Sequence, residues 1–97
     1  MTAEFLKIDP ERVADCLREA RAKLDSAQGE MVLDFSSVRR IDAKAIRALE
    51  ELADLADRKA VKIGLRGVNV EIYKVLKLVK LAPRVFLAER SGAIASK

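Results

Sequence analysis

Three observations predict an α/β fold. Short runs with strand periodicity lie at Glu4–Ile8, Met31–Phe35, Ala60–Arg66 and Val85–Ala88. Longer stretches between them carry apolar residues at helical spacing. The connections are too short for anything but strands joined through helices, which implies parallel neighbours and right-handed crossovers. The expected architecture is a four-stranded, mostly parallel or mixed sheet with three main helices. At 97 residues the chain holds a single domain, 1–97, with 1–3 and 91–97 expected as flexible tails.

Asp9-Pro10 supplies an N-cap followed by proline at the first helical position, so the first helix is expected from Pro10 to Ala27. Val13, Leu17, Ala20 and Leu24 form its buried stripe, with Cys16 beside them as a buried, inert thiol. Gln28-Gly29 ends it. Met31–Phe35 is apolar at both parities except Asp34, the pattern of a central strand with neighbours on both edges and cover on at least one face. Asp34 then needs a partner, and Ser36, Ser37 and the backbone before Asp42 are available.

Asp42 stands where an N-cap belongs, ahead of a helix that runs from Ala43 to Arg58 and buries Ile46, Leu49, Ala53 and Ala56, with Leu52 flanking them. Its outer face is charged, and pairs such as Asp54 with Arg58 are expected there. In Ala60–Arg66, Val61, Ile63 and Leu65 alternate with Lys62, Gly64 and Arg66, giving one covered face and one wetter face. Gly67 turns the chain, Asn69 caps a third helix from Val70 to about Lys80, and Ala82-Pro83 closes it before the last strand. This third helix is more apolar than one core face absorbs. Ile72, Val75, Leu76 and Val79 make the core side, so Tyr73 and Leu78 must project between lysines toward a C-terminal segment or a partner.

The composition excludes several chemistries. With no histidine and a single cysteine, the usual metal sites, His-based triads and an internal disulfide are ruled out. Gly64 and Gly67 lack the further glycine, lysine and hydroxyl of a phosphate-binding loop. Glu50, Glu51, Asp54 and Asp57 share one solvated helix face rather than converging on a cleft, so neither catalysis nor a cofactor is expected. No apolar run approaches the ~20 residues that cross a bilayer and no export signal is visible, which points to the cytoplasm without direct membrane insertion. Charge is uneven: residues 1–57 hold 9 Lys and Arg against 13 Asp and Glu, net −4, and residues 58–97 hold 10 against 2, net +8. The second half is therefore a candidate surface for an acidic partner. Lys59, Lys62, Lys74, Lys77, Lys80 and Arg84 are spread over different elements with no aromatic platform, which argues against nucleic acid.

From about Phe5 to Glu89 the pattern resembles the STAS domain family, small α/β modules that include the bacterial anti-sigma factor antagonists. The residues that carry the resemblance are Val32-Leu33-Asp34-Phe35-Ser36-Ser37-Val38, the Ile41-Asp42 helix entry, Leu65-Arg66-Gly67-Val68, and the following helix leading into Leu81 and Val85-Phe86. In antagonists switched by phosphorylation, the helix entry looks like Asp-Ser-Ser-Gly-Leu with the first serine as phosphoacceptor. Here Ala43 holds that position, so the resemblance implies a switch that has lost its hydroxyl, with Ser36 and Ser37 as the nearby substitutes. Family members usually have an additional strand before Glu4–Ile8, for which Met1 leaves no room. The fold is expected to lack that first strand, and the exposed sheet edge must be covered or used for self-pairing, for example in a homodimer.

The resemblance implies a non-enzymatic protein-interaction module whose docking surface includes Arg39, Arg40, Asp42, Ala43, Lys44 and Arg47. Its leading partner is an anti-sigma factor or similar kinase-like protein, engaged constitutively. One subgroup offers an alternative: Gly67-Val68-Asn69, Tyr73, Lys77-Leu78 and Leu81 resemble the cytoplasmic STAS subunit of phospholipid-trafficking ABC transporters, which binds the ATPase. That reading puts the working face on the third helix, with Tyr73 and Leu78 exposed.

Overall fold

The computed structural model describes residues 4–27 and 29–87. Expectations that fall on Gln28, Ala88 and the two tails lie outside them. Strands and helices alternate as β1 (Glu4–Lys7), α1 (Val13–Lys23), β2 (Glu30–Asp34), α2 (Ala43–Arg58), β3 (Lys62–Arg66), α3 (Val70–Leu78) and β4 (Phe86–Leu87), with a 3-10 turn at Ala82–Arg84. The sheet order is β1-β2-β3-β4 and each pairing is parallel, so of the expected alternatives the fully parallel sheet is the one formed. Its central strand β2 has neighbours on both edges, as its apolar run predicts.

A sheet wound strand by strand in sequence, with one crossover hand, carries its helices on one face. Burial follows that rule. Met31, Leu33 and Phe35 of the β2 segment and Ile63 and Leu65 of β3 share one core with Leu17 and Leu24, with Leu49 and Leu52 of α2, and with Ile72 and Leu76 of α3. The alternate residues point the other way. Val32 stands outside that core, and Phe5, its partner on β1, is 52% exposed.

Local chemistry explains where elements begin and end. Asp9 does not cap α1. Its carboxylate accepts the Glu11 N–H at 2.9 Å and its carbonyl accepts the Arg12 N–H at 3.0 Å, so Asp9-Pro10 closes a turn and the helix enters at Val13. The far end stops at Lys23 rather than Ala27, because tighter turns take over: Leu24, Ser26 and Ala27 donate to Arg21, Lys23 and Leu24 carbonyls. Cys16 is half-buried rather than buried, with its Sγ accepting the Asp9 N–H at 3.4 Å.

Helix α2 is rotated from the expected stripe. Ala45, Ala48 and Leu52 are buried beside Leu49, Ala53 and Ala56, while Ile46 is only half-buried. Helix α1 packs along α2, and small side chains on the contact face let two helix backbones approach. Asp54 does not pair with Arg58. Together with Asp57 it holds Arg84, at 2.7 and 3.0 Å, and ties the 3-10 turn back to α2.

Both α2 and α3 end in a left-handed residue that is not glycine: Ala60 at φ 59 and Lys80 at φ 64. Val61 N–H returns to Ala56 carbonyl at 2.9 Å, and Leu81 N–H to Leu76 carbonyl at 2.8 Å, the long bond of a Schellman motif. The motif stops α3 at Leu78, two residues before the expected Lys80.

Candidate docking site

The carboxyl end of the parallel sheet gathers the N-termini of all three helices, because every crossover returns the chain in the same direction. The loop joining β2 to α2 occupies the middle of this end, and hydrogen bonds hold it along its length. Phe35 N–H donates to Arg66 carbonyl at 2.7 Å, continuing the β2–β3 ladder one residue beyond the strand. Ser36 N–H donates to Asp34 Oδ1 at 2.9 Å, so Asp34 finds the serine partner its position demands. Burial alone would raise the Asp34 pKa, but the Ser36 hydroxyl and N–H, with Arg66 and Lys7 nearby, outweigh it and hold the carboxyl below its ordinary value.

Across the loop stands Gly67 at φ 73, and a Cβ there would lie 2.7 Å from the Ser36 Cα. Only glycine fits both the left-handed backbone and this approach. Two residues on, Asn69 works at both ends of its amide. Its Oδ1 accepts the Ile72 N–H at 2.8 Å, capping α3 as the sequence predicts. Its Nδ2 donates to the Arg39 carbonyl at 3.0 Å, which ties the α3 entry to the loop before α2. Asp42 then caps α2, accepting the Ala45 N–H at 2.8 Å.

On this fixed backbone the expected docking residues stand together and exposed: Ser36, Ser37, Arg39, Arg40, Asp42, Ala43, Lys44 and Arg47 all face solvent. Arg40, Ile41, Asp42 and Lys44 form one wall of a groove whose other wall is the start of α1, with Glu11, Asp15 and Arg18. A second groove runs from Arg40 and Ile41 to Glu71, Ile72, Lys74 and Val75 of α3. Tyr73 lines neither groove. It sits farther round α3, 38% exposed, with the Lys77 ammonium 5.7 Å from its ring centre. Leu78 is 81% exposed, so both side chains project as the crowded helix pattern requires.

Ion pairs neutralise only part of the basic second half. Of the basic residues in the second half, Lys59 pairs with Asp25, and Arg84 with Asp54 and Asp57. Among the described residues, Arg39, Arg40, Lys44, Arg47 and Lys74 make no ion pair. Five cations without an ion pair therefore surround the α2 entry, four of them from the acidic half of the chain, while Arg58, Lys62, Arg66, Lys77 and Lys80 of the second half are likewise without one among the described residues. The first turn of α2 contains no acidic residue, although the positive end of the helix dipole favours one. Lys44 stands there against the dipole, a position that stability alone does not select.

Sequence reasoning missed three contributors. The Asn69 bond to Arg39 has a carbonyl acceptor, which leaves no mark in a sequence. Lys74 stands in the sequence only among dispersed lysines, and nothing in the sequence places Glu11, Asp15 and Arg18 opposite the α2 entry. Among the described residues, no three of His, Cys, Asp and Glu are grouped to hold a metal ion, and no helix is long and apolar enough to cross a membrane.

A parallel sheet with helices on one face, and a hydrogen-bonded loop carrying Arg39 and Arg40 where their N-termini meet, defines a small α/β domain. The chain belongs to the STAS domain family: residues 7–87 match the family described as "Mlab, STAS domain". It is 33% identical over 57 residues to the intermembrane phospholipid transport system binding protein MlaB of Escherichia coli, and equally to that of Shigella flexneri. The match spans 59% of this chain and 59% of each of those curated relatives. Among solved structures, a sulfate transporter family protein from Wolinella succinogenes superposes with a TM-score of 0.72 at 25% identity, covering 87% of this chain and 75% of that one. A protein described as an anti-sigma factor antagonist from Thermotoga maritima superposes with a TM-score of 0.69, covering 91% of this chain and 75% of that one; at 16% identity it speaks to the fold alone.

Proposed function

We propose that this chain is a non-enzymatic docking module, the cytoplasmic STAS subunit of an intermembrane phospholipid transport system, and that it binds the ATPase of that system. The observation that carries the docking role is the cluster of unpaired cations, Arg39, Arg40, Lys44, Arg47 and Lys74, around the capped entry of α2. Such a cluster steers an acidic surface toward it and fixes orientation on contact. Tyr73 and Leu78, exposed farther along α3, offer the partner a separate apolar patch. Kinship supports the choice of partner, since the curated relatives at 33% identity are binding proteins of a phospholipid transport system.

The test is a titration of the host's transport ATPase with wild-type chain and with Lys44→Glu. The variant reverses one charge at the centre of the surface and should weaken binding by about tenfold or more. It should also stabilise the isolated domain slightly, because a carboxylate in the first turn of α2 suits the dipole, by about 0.3–1 kcal/mol. Unchanged affinity removes this surface from the interface.

The second reading, an anti-sigma factor antagonist, keeps the same surface and changes the partner to a kinase-like anti-sigma factor. It is favoured by the position of Ala43, the first residue of an α2 entry capped by Asp42 and exposed to a docking partner. With no hydroxyl at Ala43, binding would be constitutive. Binding to the host's anti-sigma factors and not to the ATPase selects this reading, and phosphosite mapping at Ser36 and Ser37 after incubation with host kinases tests whether either serine has taken over the switch.

A further inference from the structure

The uncovered face of the sheet carries a pattern of its own. Strand register aligns Phe5, Val32, Gly64 and Phe86 in one row across the sheet. On its carboxyl side lies the row Lys7, Asp34, Arg66, and on its amino side Glu30 and Lys62. The middle row is apolar: the Phe86 ring lies where a Gly64 side chain would be, and Phe5 is 52% exposed under the Arg66 guanidinium, 5.7 Å from its ring centre. Parallel sheets are normally covered on both faces, and no described helix covers this one.

We propose that a second copy of this chain covers it, with the two sheets packed face to face about a two-fold axis that runs parallel to the strands between β2 and β3. The charges choose this arrangement. Rotation about that axis lays β2 of one copy over β3 of the other, so Glu30 meets Lys62, Asp34 meets Arg66, Val32 meets Gly64, and Phe5 meets Phe86. Rotation about an axis across the strands would set Asp34 against Glu30 and Arg66 against Lys62, like against like. A surface that is complementary to itself under one symmetry and repulsive under the other is what an isologous dimer requires.

Size sets the strength. Four strands at about 4.8 Å spacing and about five residues at 3.3 Å rise give roughly 300 Å² of flat area per copy. That is below the ~1,200 Å² total of stable interfaces, so the dimer is a weak, transient one. Because the axis runs along the strands, both copies present their α2 entries toward the same side.

The test is sedimentation equilibrium of the whole chain from about 10 µM to about 1 mM, repeated with Lys62→Glu and Glu30→Lys. Both positions lie at the surface end of their strands, and thermal melts by circular dichroism check that each variant stays folded. Each variant alone should weaken self-association by about tenfold or more, since it sets like charges opposite one another twice per dimer. An equimolar mixture of the two should recover association, because each variant then faces the opposite charge at both contacts. Asp34→Arg mixed with Arg66→Asp gives a second, independent complementary pair. A wild-type chain that stays monomeric throughout overturns the proposal, as does self-association that neither single variant weakens or that mixing fails to restore.

Discussion

Replacing Asn69 separates two jobs that one side chain performs. Asn69→Ala removes the cap on α3, about 1 kcal/mol, and the bond to the Arg39 carbonyl at 3.0 Å, about 0.5–1.5 kcal/mol, so the domain should lose about 2 kcal/mol. At this chain length that lowers the melting temperature by about 10 °C. Asn69→Asp keeps the acceptor for the Ile72 N–H and gains from the helix dipole, but it loses the donor and turns a carboxylate oxygen toward the Arg39 carbonyl. It should lose about 1 kcal/mol, between wild type and alanine. Urea denaturation of the three proteins at neutral pH, followed by circular dichroism, measures all of this. An Asn69→Asp protein as stable as wild type would refute the bond across the loop, and one no better than Asn69→Ala would refute the cap.

Ala60→Gly and Lys80→Gly should each stabilise the domain by about 1 kcal/mol, because both residues sit in the left-handed region where a Cβ is unfavourable; chemical denaturation checks the sign. Gly67→Ala should cost about 2 kcal/mol or more, since its Cβ meets the Ser36 backbone, whereas Gly64→Ala should cost less because it meets the far end of the Phe86 ring, which swings aside. Asp34 contributes a pH dependence. Its folded pKa lies below the reference value of 3.8, so its share of stability is present above that value and is lost as pH falls below it and through the lower folded value. Asp34→Asn should therefore flatten the loss of stability between pH 5 and pH 2, about where carboxylates titrate, in thermal melts across that range.

Local chemistry made much of this protein legible in advance. Asp42 and Asn69 were readable as caps because a cap depends on the residue itself and the apolar run that follows it. Asp9-Pro10 carries the same signature, yet there the carboxylate serves a turn, and the same short-range bond is made one turn too early to start a helix. The surplus of apolar residues on α3 foretold that Tyr73 and Leu78 would be exposed, since burial on one face is limited by geometry. Long-range choices were not readable. Asp54 had Arg58 one turn away and Arg84 far along the chain, and only the fold decides for Arg84. The net charge of the second half is no guide to the α2 entry for the same reason: charge counted along a chain does not record which cations stand together in space.

The bond from Asn69 to the Arg39 carbonyl also bears on how fast and how firmly a partner is held. A free loop must be frozen on binding, at about 1–2 kcal/mol of backbone entropy for each residue fixed. The loop before α2 has already met that cost during folding, so an encounter need not wait for it to find its shape. The same fastening works in reverse. A partner bound at Arg39 and Arg40 would meet a loop already tied to the first turn of α3, and one bound on α3 would meet a helix entry already tied to that loop.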